Sequence, residues 1–507
     1  SSLFPAEAAL GYITSAAAMS ATSPQPPLPD VAAGISAALA RAAAEGALPE
    51  VGEVAVAEAA GAALPPREED LLRKPVGLFY DLDAWEANLM ECQAAFGKGF
   101  FHAGALKSNG LGPMLRRARE LGFGAECASI GEVIHAERLG FQGREIIFDS
   151  PVKTPSEIRY ALEAGIHVNI DNMQELAVVE QVRKVVPHTK SDIGLRINPL
   201  AGAGEIAALS VSVADSKFGV PIDRKADILA AYREHAWLNC VHVHVGSGGM
   251  GVKVLVAGVK KAVELATEVN KTLGRNQVCV LDMGGGMPVN YSSEAWHTDK
   301  VPSFYEYATA LRKDIPLLFQ DSPGCPFQRV ITEFGQSLNA KSGWAASRIE
   351  YTKPLPSDSG QIVVIHLGAD VCMRQCYTKD HKRRLEFFDG RTMKHKEASK
   401  ECPIGALHVA GPLCFEGDHL TRDARAPLLS RGDIVVIREA GANTLSLFSR
   451  HCQRQVPPAY GYRLRSRDSA AVEVVDFVVL KPSEDLVGCS RHWGWEPLKK
   501  RARVEAQ

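Results

Sequence analysis

Eight short apolar runs recur between residues 100 and 337, with helix-like stretches between them, and no other feature narrows the possible folds as much. The runs cover residues 100–107, 124–129, 145–150, 167–171, 193–199, 238–248, 278–286 and 329–337. Helix-like segments lie between them, at 113–121, 130–139, 155–164, 173–185 and 254–273. Strands alternating with helices build parallel sheets, and eight such units in about 240 residues have the length of a closed (β/α)8 TIM barrel. A doubly wound open sheet is the alternative. The count of eight favours closure.

The texture changes after residue 337. Segments 362–367, 406–409, 433–438 and 471–480 read as strands separated by turns and charged loops. A mostly β C-terminal domain, a β-barrel or sandwich, is expected there. The strand-like segment 77–82 precedes the barrel and is expected to join that domain's sheet. Residues 1–66 are rich in Ala and Pro, with helices expected at 31–45 and 54–63 and a boundary at Pro65 and Pro66. The resulting division is an N-terminal extension (1–66), a strand and lead-in helix (67–99), a barrel (100–340), a β domain (341–485) and a tail (486–507).

The chain has 57 basic and 59 acidic residues, a net charge of −2. This balance removes the electrostatic case for nucleic acid or an anionic membrane as partner. No apolar run reaches the roughly 20 residues of a membrane helix. Eleven cysteines occur without a CxxC pair, so reduced, buried thiols in a soluble cytoplasmic chain are expected, with a plastid as the alternative compartment.

Functional groups of such barrels sit at the carboxyl ends of the strands. The first strand ends in Lys107, the sixth in His242-Val-His244-Val-Gly-Ser247, the seventh in Asp282-Met-Gly284-Gly285-Gly286 and the eighth in Glu333-Phe-Gly335-Gln336. Desolvation in an apolar strand would lower the pKa of Lys107 and favour a nucleophilic amine. The alternative is an ordinary solvated strand-end lysine. Three consecutive glycines expose main-chain N–H groups that suit a phosphate, or simply make a tight turn. Glu333 suits a base, a partner for a cationic ring or a salt-bridged carboxylate. His242 and His244 share one strand face, which invites a zinc reading. The further histidines such a centre needs are missing, so no metal is expected, and one histidine stacking on an aromatic cofactor is the more economical reading.

In this order the motifs resemble those of the pyridoxal-phosphate-dependent decarboxylases of the ornithine/diaminopimelate/arginine type, which share the alanine-racemase-like barrel. In motif style the diaminopimelate decarboxylases are nearest. Lys107-Ser108-Asn109, the Ser216-Lys217-Phe218-Gly219 run, His244 to Ser247, the glycine triplet, Glu333 to Gln336 and Gly411-Pro-Leu-Cys414 carry the resemblance. It implies pyridoxal 5'-phosphate held as a Schiff base on Lys107, with His244 on its ring and Glu333 at its pyridine nitrogen. Ser247, Gly284, Gly285, Gly286 and Gly335 would hold the phosphate, and Asn443 stands where the family contacts the cofactor. Cys414 would reach in from the partner of a homodimer to protonate the product carbon. Gln336, Arg374, Tyr377 and Glu416 would face an amino-acid substrate: diaminopimelate, ornithine, lysine, arginine-like or divergent.

Three departures qualify the resemblance. Gln336 stands where the family has Arg, Asn443 replaces a Tyr, and Phe415 follows the cysteine in place of an acid. A binding protein without activity and an amino-acid racemase using Tyr377 are the competing readings. Retention of Lys107 and Cys414 argues for the decarboxylase.

Overall fold

The computed structural model describes residues 31–50, 74–202, 211–356, 359–378, 382–397, 404–467 and 471–495. Strand β1 (Val76–Asp81) passes directly into a helix, Leu82–Phe96, because the Asp81 side chain accepts from the Ala84 N–H at 2.9 Å. The barrel strands follow: β2 (Phe100–Ala105), β3 (Gly124–Cys127), β4 (Ile146–Phe148), β5 (His167–Ile170) and β6 (Ile193–Asn198). After the two-residue β7 (Val220–Pro221) come β8 (Cys240–Val243), β9 (Val280–Asp282) and β10 (Arg329–Thr332). The parallel pairing runs β5-β4-β3-β2-β10-β9-β8-β6, and β5 pairs with β6 through Val168 and Ile193. The sheet is therefore a closed eight-stranded barrel, and the open-sheet alternative falls.

The helices Gly112–Glu120, Ile130–Arg138, Pro155–Glu163, Met173–Val185 and Val252–Leu273 occupy the five expected stretches. Several start where a polar side chain takes up a free N–H of the first turn: Ser129 from Glu132, Thr154 from Glu157 and Asn172 from Glu175. Two wall helices, Lys225–Glu234 and Phe304–Asp314, were not read from the sequence. The second begins with a reciprocal box between Ser303 and Glu306, a legible S-x-x-E start. The expected helix at 54–63 lies outside the described residues.

The second sheet contains β11 (Gly343–Pro354), β12 (Gly360–Ile365), β13 (Leu385–Phe388) and β14 (Ile404–Ala410). It is completed by β15 (His419–Pro427), β16 (Ile434–Ile437), β17 (Ala459–Arg467) and β18 (Ala471–Lys481). Strand β1 lies between β11, antiparallel, and β17, parallel. From β1 in this sheet the chain goes on to make the barrel and then returns. The helix Val31–Ala44 buries Ile35, Ala38, Leu39 and Ala42 in one core with Phe79, Trp344, Ile434, Val436 and Tyr462.

The ten cysteines of the described residues are free, as expected; several are buried, whereas Cys414 and Cys452 are exposed. No helix of the described residues is long and apolar enough to cross a membrane.

Candidate active site

Inside the barrel, Ala103, Ile147, Cys240, Val280 and Ile331 form a small apolar cluster. Side chains repeat on one face of a strand every two residues. Two positions further along β4, β8, β9 and β10, the same inward face carries Asp149, His242, Asp282 and Glu333, all buried. Lys107, two positions past Ala105, and Glu126, two past Gly124, join them, with Arg196 from β6. An apolar floor and a charged upper layer follow from strand periodicity alone.

Lys107 Nζ donates to Glu126 Oε2 and leaves its side chain half-exposed at the mouth. Burial alone would depress its pKa, but the carboxylates of Glu126, Glu333 and Asp149 outweigh it and hold the amine above its ordinary value. The expectation of a depressed lysine is corrected: before any ligand binds, the site keeps Lys107 cationic and positioned.

His242 is locked between two acids, with Nδ1 3.3 Å from Asp282 Oδ2 and Nε2 3.4 Å from Asp149 Oδ2. Burial opposes its charge, yet these carboxylates push its pKa well up. Asp149 also pairs with Arg196 at 3.2 Å, and Arg196 lies 4.4 Å over the ring of Phe218 in the Ser-Lys-Phe-Gly loop. Asp149, His242 and Glu333 bring possible metal-ligand atoms within 4.8 Å of one another.

His244, two residues on, behaves oppositely. Burial, helped by Arg196 and Lys107, lowers its pKa to about 3, so its ring is neutral. The Gly285 N–H donates to His244 Nδ1 at 3.3 Å, and His244 Nε2 lies 3.5 Å from Ser247 Oγ. An accepting Nδ1 puts the ring proton on Nε2. The ring is flat, uncharged and held at both nitrogens.

The glycine triplet does more than offer N–H groups. The Gly284 N–H is taken by Asp282 Oδ1 at 3.0 Å and that of Gly285 by His244, so two of the three donors expected for a phosphate are used within the fold. A Cβ on Gly284 would meet Val243 O at 2.5 Å, one on Gly285 Glu333 O at 2.3 Å, and one on Gly286 (φ 97°) Gly246 O at 2.1 Å. Only glycine lets this turn lie against strands β8 and β10. Glu333 projects beside it. Burial, and then Asp282, raises its pKa well above the carboxylate range, and its Oε1 is buried with no hydrogen-bond partner among the described residues.

Gly335 packs against the lysine loop, where a Cβ would lie 3.0 Å from Ser108 Cβ. Gln336 donates to Ser247 O at 2.9 Å and accepts from Tyr291 OH at 2.8 Å, tying the end of β10 to the His244–Ser247 turn. The Asn443 N–H donates to Ser108 O at 2.8 Å, its backbone at φ 55°. Arg374 lies within electrostatic reach of Tyr291. Cys414, Tyr377 and Glu416 are exposed on the β domain; Tyr377 stacks on Phe415 at 5.7 Å, and Glu416 pairs with Arg422 at 2.7 Å. None of these three makes a hydrogen bond or ion pair with the barrel layer among the described residues. Glu126, Asp149 and Arg196 were missed by the sequence reading, although each is a charged residue inside an apolar strand run.

A family model of pyridoxal-dependent decarboxylases, describing their pyridoxal binding domain, matches residues 83–340, just over half of the chain. The chain belongs to this family. The resemblance read from the motifs is thereby borne out. The decarboxylase is 26% identical over 361 residues to a diaminopimelate decarboxylase of Bacteroides thetaiotaomicron, covering 70% of this chain and 86% of that one. It is 27% identical over 380 residues to one from Helicobacter pylori, covering 74% and 87%. A crystal structure of the Helicobacter pylori enzyme complexed with L-lysine superposes with a TM-score of 0.68 at 25% identity, covering 84% of this chain and 99% of that one. Pyridoxal phosphate fits the residues present. Glu333 Oε1, buried at the mouth beside the glycine turn, lacks a donor that a pyridinium N–H would provide.

Proposed function

We propose that this decarboxylase carries pyridoxal phosphate on Lys107 and releases carbon dioxide from an amino acid, in a homodimer whose two sites are completed by exchanged loops, in the cytoplasm. Bound there, the cofactor supplies the electron sink for the bond that breaks. Lys107 would hold it, and Glu126, which accepts from Lys107 Nζ and orients it, is placed to take the proton the ammonium must lose first. His244, neutral and fixed by Gly285 and Ser247, offers a flat face against the ring without competing for charge. Glu333 accepts the proton-bearing ring nitrogen, and that cation reverses the cost of ionising a buried carboxylate. Gly284, Gly285, Gly286, Gly335 and Ser247 would hold the phosphate, as the family resemblance implies. Arg374 binds a substrate carboxylate, with Gln336 and Asn443 nearby.

Cys414, Tyr377 and Glu416 would serve the partner's barrel, which accounts for their exposure in one chain. The relatives' names bring diaminopimelate, and the lysine complex its product-like skeleton, into the substrate class, beside ornithine and arginine-like amino acids. The observation that carries the reading is the buried, unpartnered Oε1 of Glu333 next to the glycine turn. Incubation with pyridoxal phosphate should give a visible absorption band that Lys107→Ala abolishes, and the coloured protein should release carbon dioxide from one of these amino acids. A protein that stays colourless at saturating cofactor contradicts the proposal.

A further inference from the structure

Arg196, His242 and Asp282 are register partners on neighbouring strands, Arg196 with His242 across β6 and β8 and His242 with Asp282 across β8 and β9. Partners in register point to the same face of a sheet, so the three side chains form one row inside the barrel. Polar contacts fix the end of that row. Asn169 Oδ1 lies 2.9 Å from His167 Nε2, which turns the amide so that Nδ2 donates to Asp282 Oδ2 at 2.8 Å. Gly194 makes room for this crossing, since a Cβ there would meet Asn169 Oδ1 at 2.4 Å. The other oxygen of Asp282 accepts the Gly284 N–H at 3.0 Å.

The nitrogens of His242 face Asp282 and Asp149 at 3.3 and 3.4 Å. One of them, an Asp149 oxygen and a Glu333 oxygen all lie within 4.8 Å of one another. The ring is fully buried, and the chemistry proposed above gives it no role, because His244 takes the place against the cofactor. The titratable groups around it are Lys107, Glu126, Asp149, His167, Asp171, Arg196, Asp282 and Glu333, with His244 on its own strand run. Arg196 is shared between Asp149 and Asp171, at 3.2 and 3.9 Å, and Lys107 is bound by Glu126 and gives its amine to the cofactor. His242 keeps its place beside Glu333 whatever is bound. Burial, then Asp282, resists ionisation of Glu333, and His242 opposes both.

We propose that His242 is a positioning residue for the cofactor: clamped between Asp149 and Asp282, it carries the positive charge against which Glu333 passes its proton to the ring nitrogen. The inference rests on the decarboxylase reading and deepens it. The proton leaves a Glu333 oxygen and bonds to the lone pair of the ring nitrogen, and the carboxylate left behind faces an imidazolium on one side and the protonated ring on the other. The test is calorimetric titration of wild type and His242→Gln with pyridoxal phosphate and with deazapyridoxal phosphate, in which C–H replaces the ring nitrogen.

His242→Gln should weaken pyridoxal phosphate about tenfold to a hundredfold, the effect of losing a charge-assisted contact, and move the deaza compound little. With Glu333→Gln already in place, the same substitution should weaken pyridoxal phosphate little further, because the two residues act as a pair. Equal weakening of both compounds overturns the inference, since the ring would then only support the glycine turn. Unchanged affinity for pyridoxal phosphate overturns it too and leaves the decarboxylase reading standing. Nitrogen NMR of histidine-labelled, cofactor-loaded wild type guards against a misfolded variant. One imidazolium should persist at about pH 9, where histidines of ordinary pKa are neutral, and its absence overturns the inference. A divalent metal that co-purifies with wild type and is lost from His242→Gln does the same, because the ring would then be a ligand. Wild-type protein that binds neither compound brings down both readings.

Discussion

Replacing Glu333 by Gln keeps the shape of the side chain and removes its charge, and the consequence differs between the empty and the loaded protein. Without cofactor, burial and Asp282 raise the Glu333 pKa above its unfolded value. The folded state therefore binds a proton that the unfolded state has released. Its contribution is fully present below the unfolded pKa and is lost as pH rises toward the folded one. Within that window the slope is about 1.4 kcal/mol per pH unit. Glu333→Gln escapes this loss, so the cofactor-free variant should be more stable than wild type at neutral pH and about equal at pH 4. With cofactor the sign reverses. The variant gives up a charge-assisted hydrogen bond to the ring nitrogen, worth about 1.5–3 kcal/mol, or about 10- to 150-fold in cofactor affinity. Urea unfolding at several pH values and absorbance titration with pyridoxal phosphate read the two arms. A variant that binds cofactor as tightly as wild type, or is less stable when empty at neutral pH, refutes the assignment.

Other consequences follow from the same geometry. His102 is buried against Phe96, Phe123 and Phe334, and burial lowers its pKa to about 4. The unfolded state then binds the extra proton, so stability present above pH 6.5 should fall by about 3 kcal/mol on acidification to pH 4. His102→Gln should remove that part of the slope in urea titrations. Leu39→Ala should cost about 2–5 kcal/mol, the usual range for a buried leucine, lowering the melting temperature without changing cofactor affinity. Gly286→Ala forces a Cβ onto Gly246 O and should lower both stability and cofactor binding. Mixed dimers of Lys107→Ala and Cys414→Ala chains should recover activity that neither variant has; confirmed heterodimers without activity would count against exchanged loops.

The barrel was legible because its strands are covered on both faces and stand out as apolar runs. Strands β11, β13, β15 and β17 were not read. Segments such as Arg463, Leu464 and Arg465 in β17 alternate charged and apolar residues, and a search for continuous apolar runs passes over them. The motif-bearing residues Lys107, His244, the glycine triplet and Glu333 do meet at one rim. The pKa of Lys107 was misjudged because desolvation can be read from one strand, whereas the acids that overrule it come from β3, β4 and β10. Glu126, Asp149 and Arg196 belong to no family signature quoted from the sequence, yet strand periodicity carried the information. A charge two positions beyond a buried apolar residue, inside such a strand, has only the barrel mouth to enter.

Borohydride reduction of the cofactor-loaded protein, followed by proteolysis and mass spectrometry, tests the central claim most directly. A pyridoxyl group on the peptide containing Lys107, absent from Lys107→Ala, is the result predicted here. A label on another lysine, or none in a protein that still releases carbon dioxide, would contradict it.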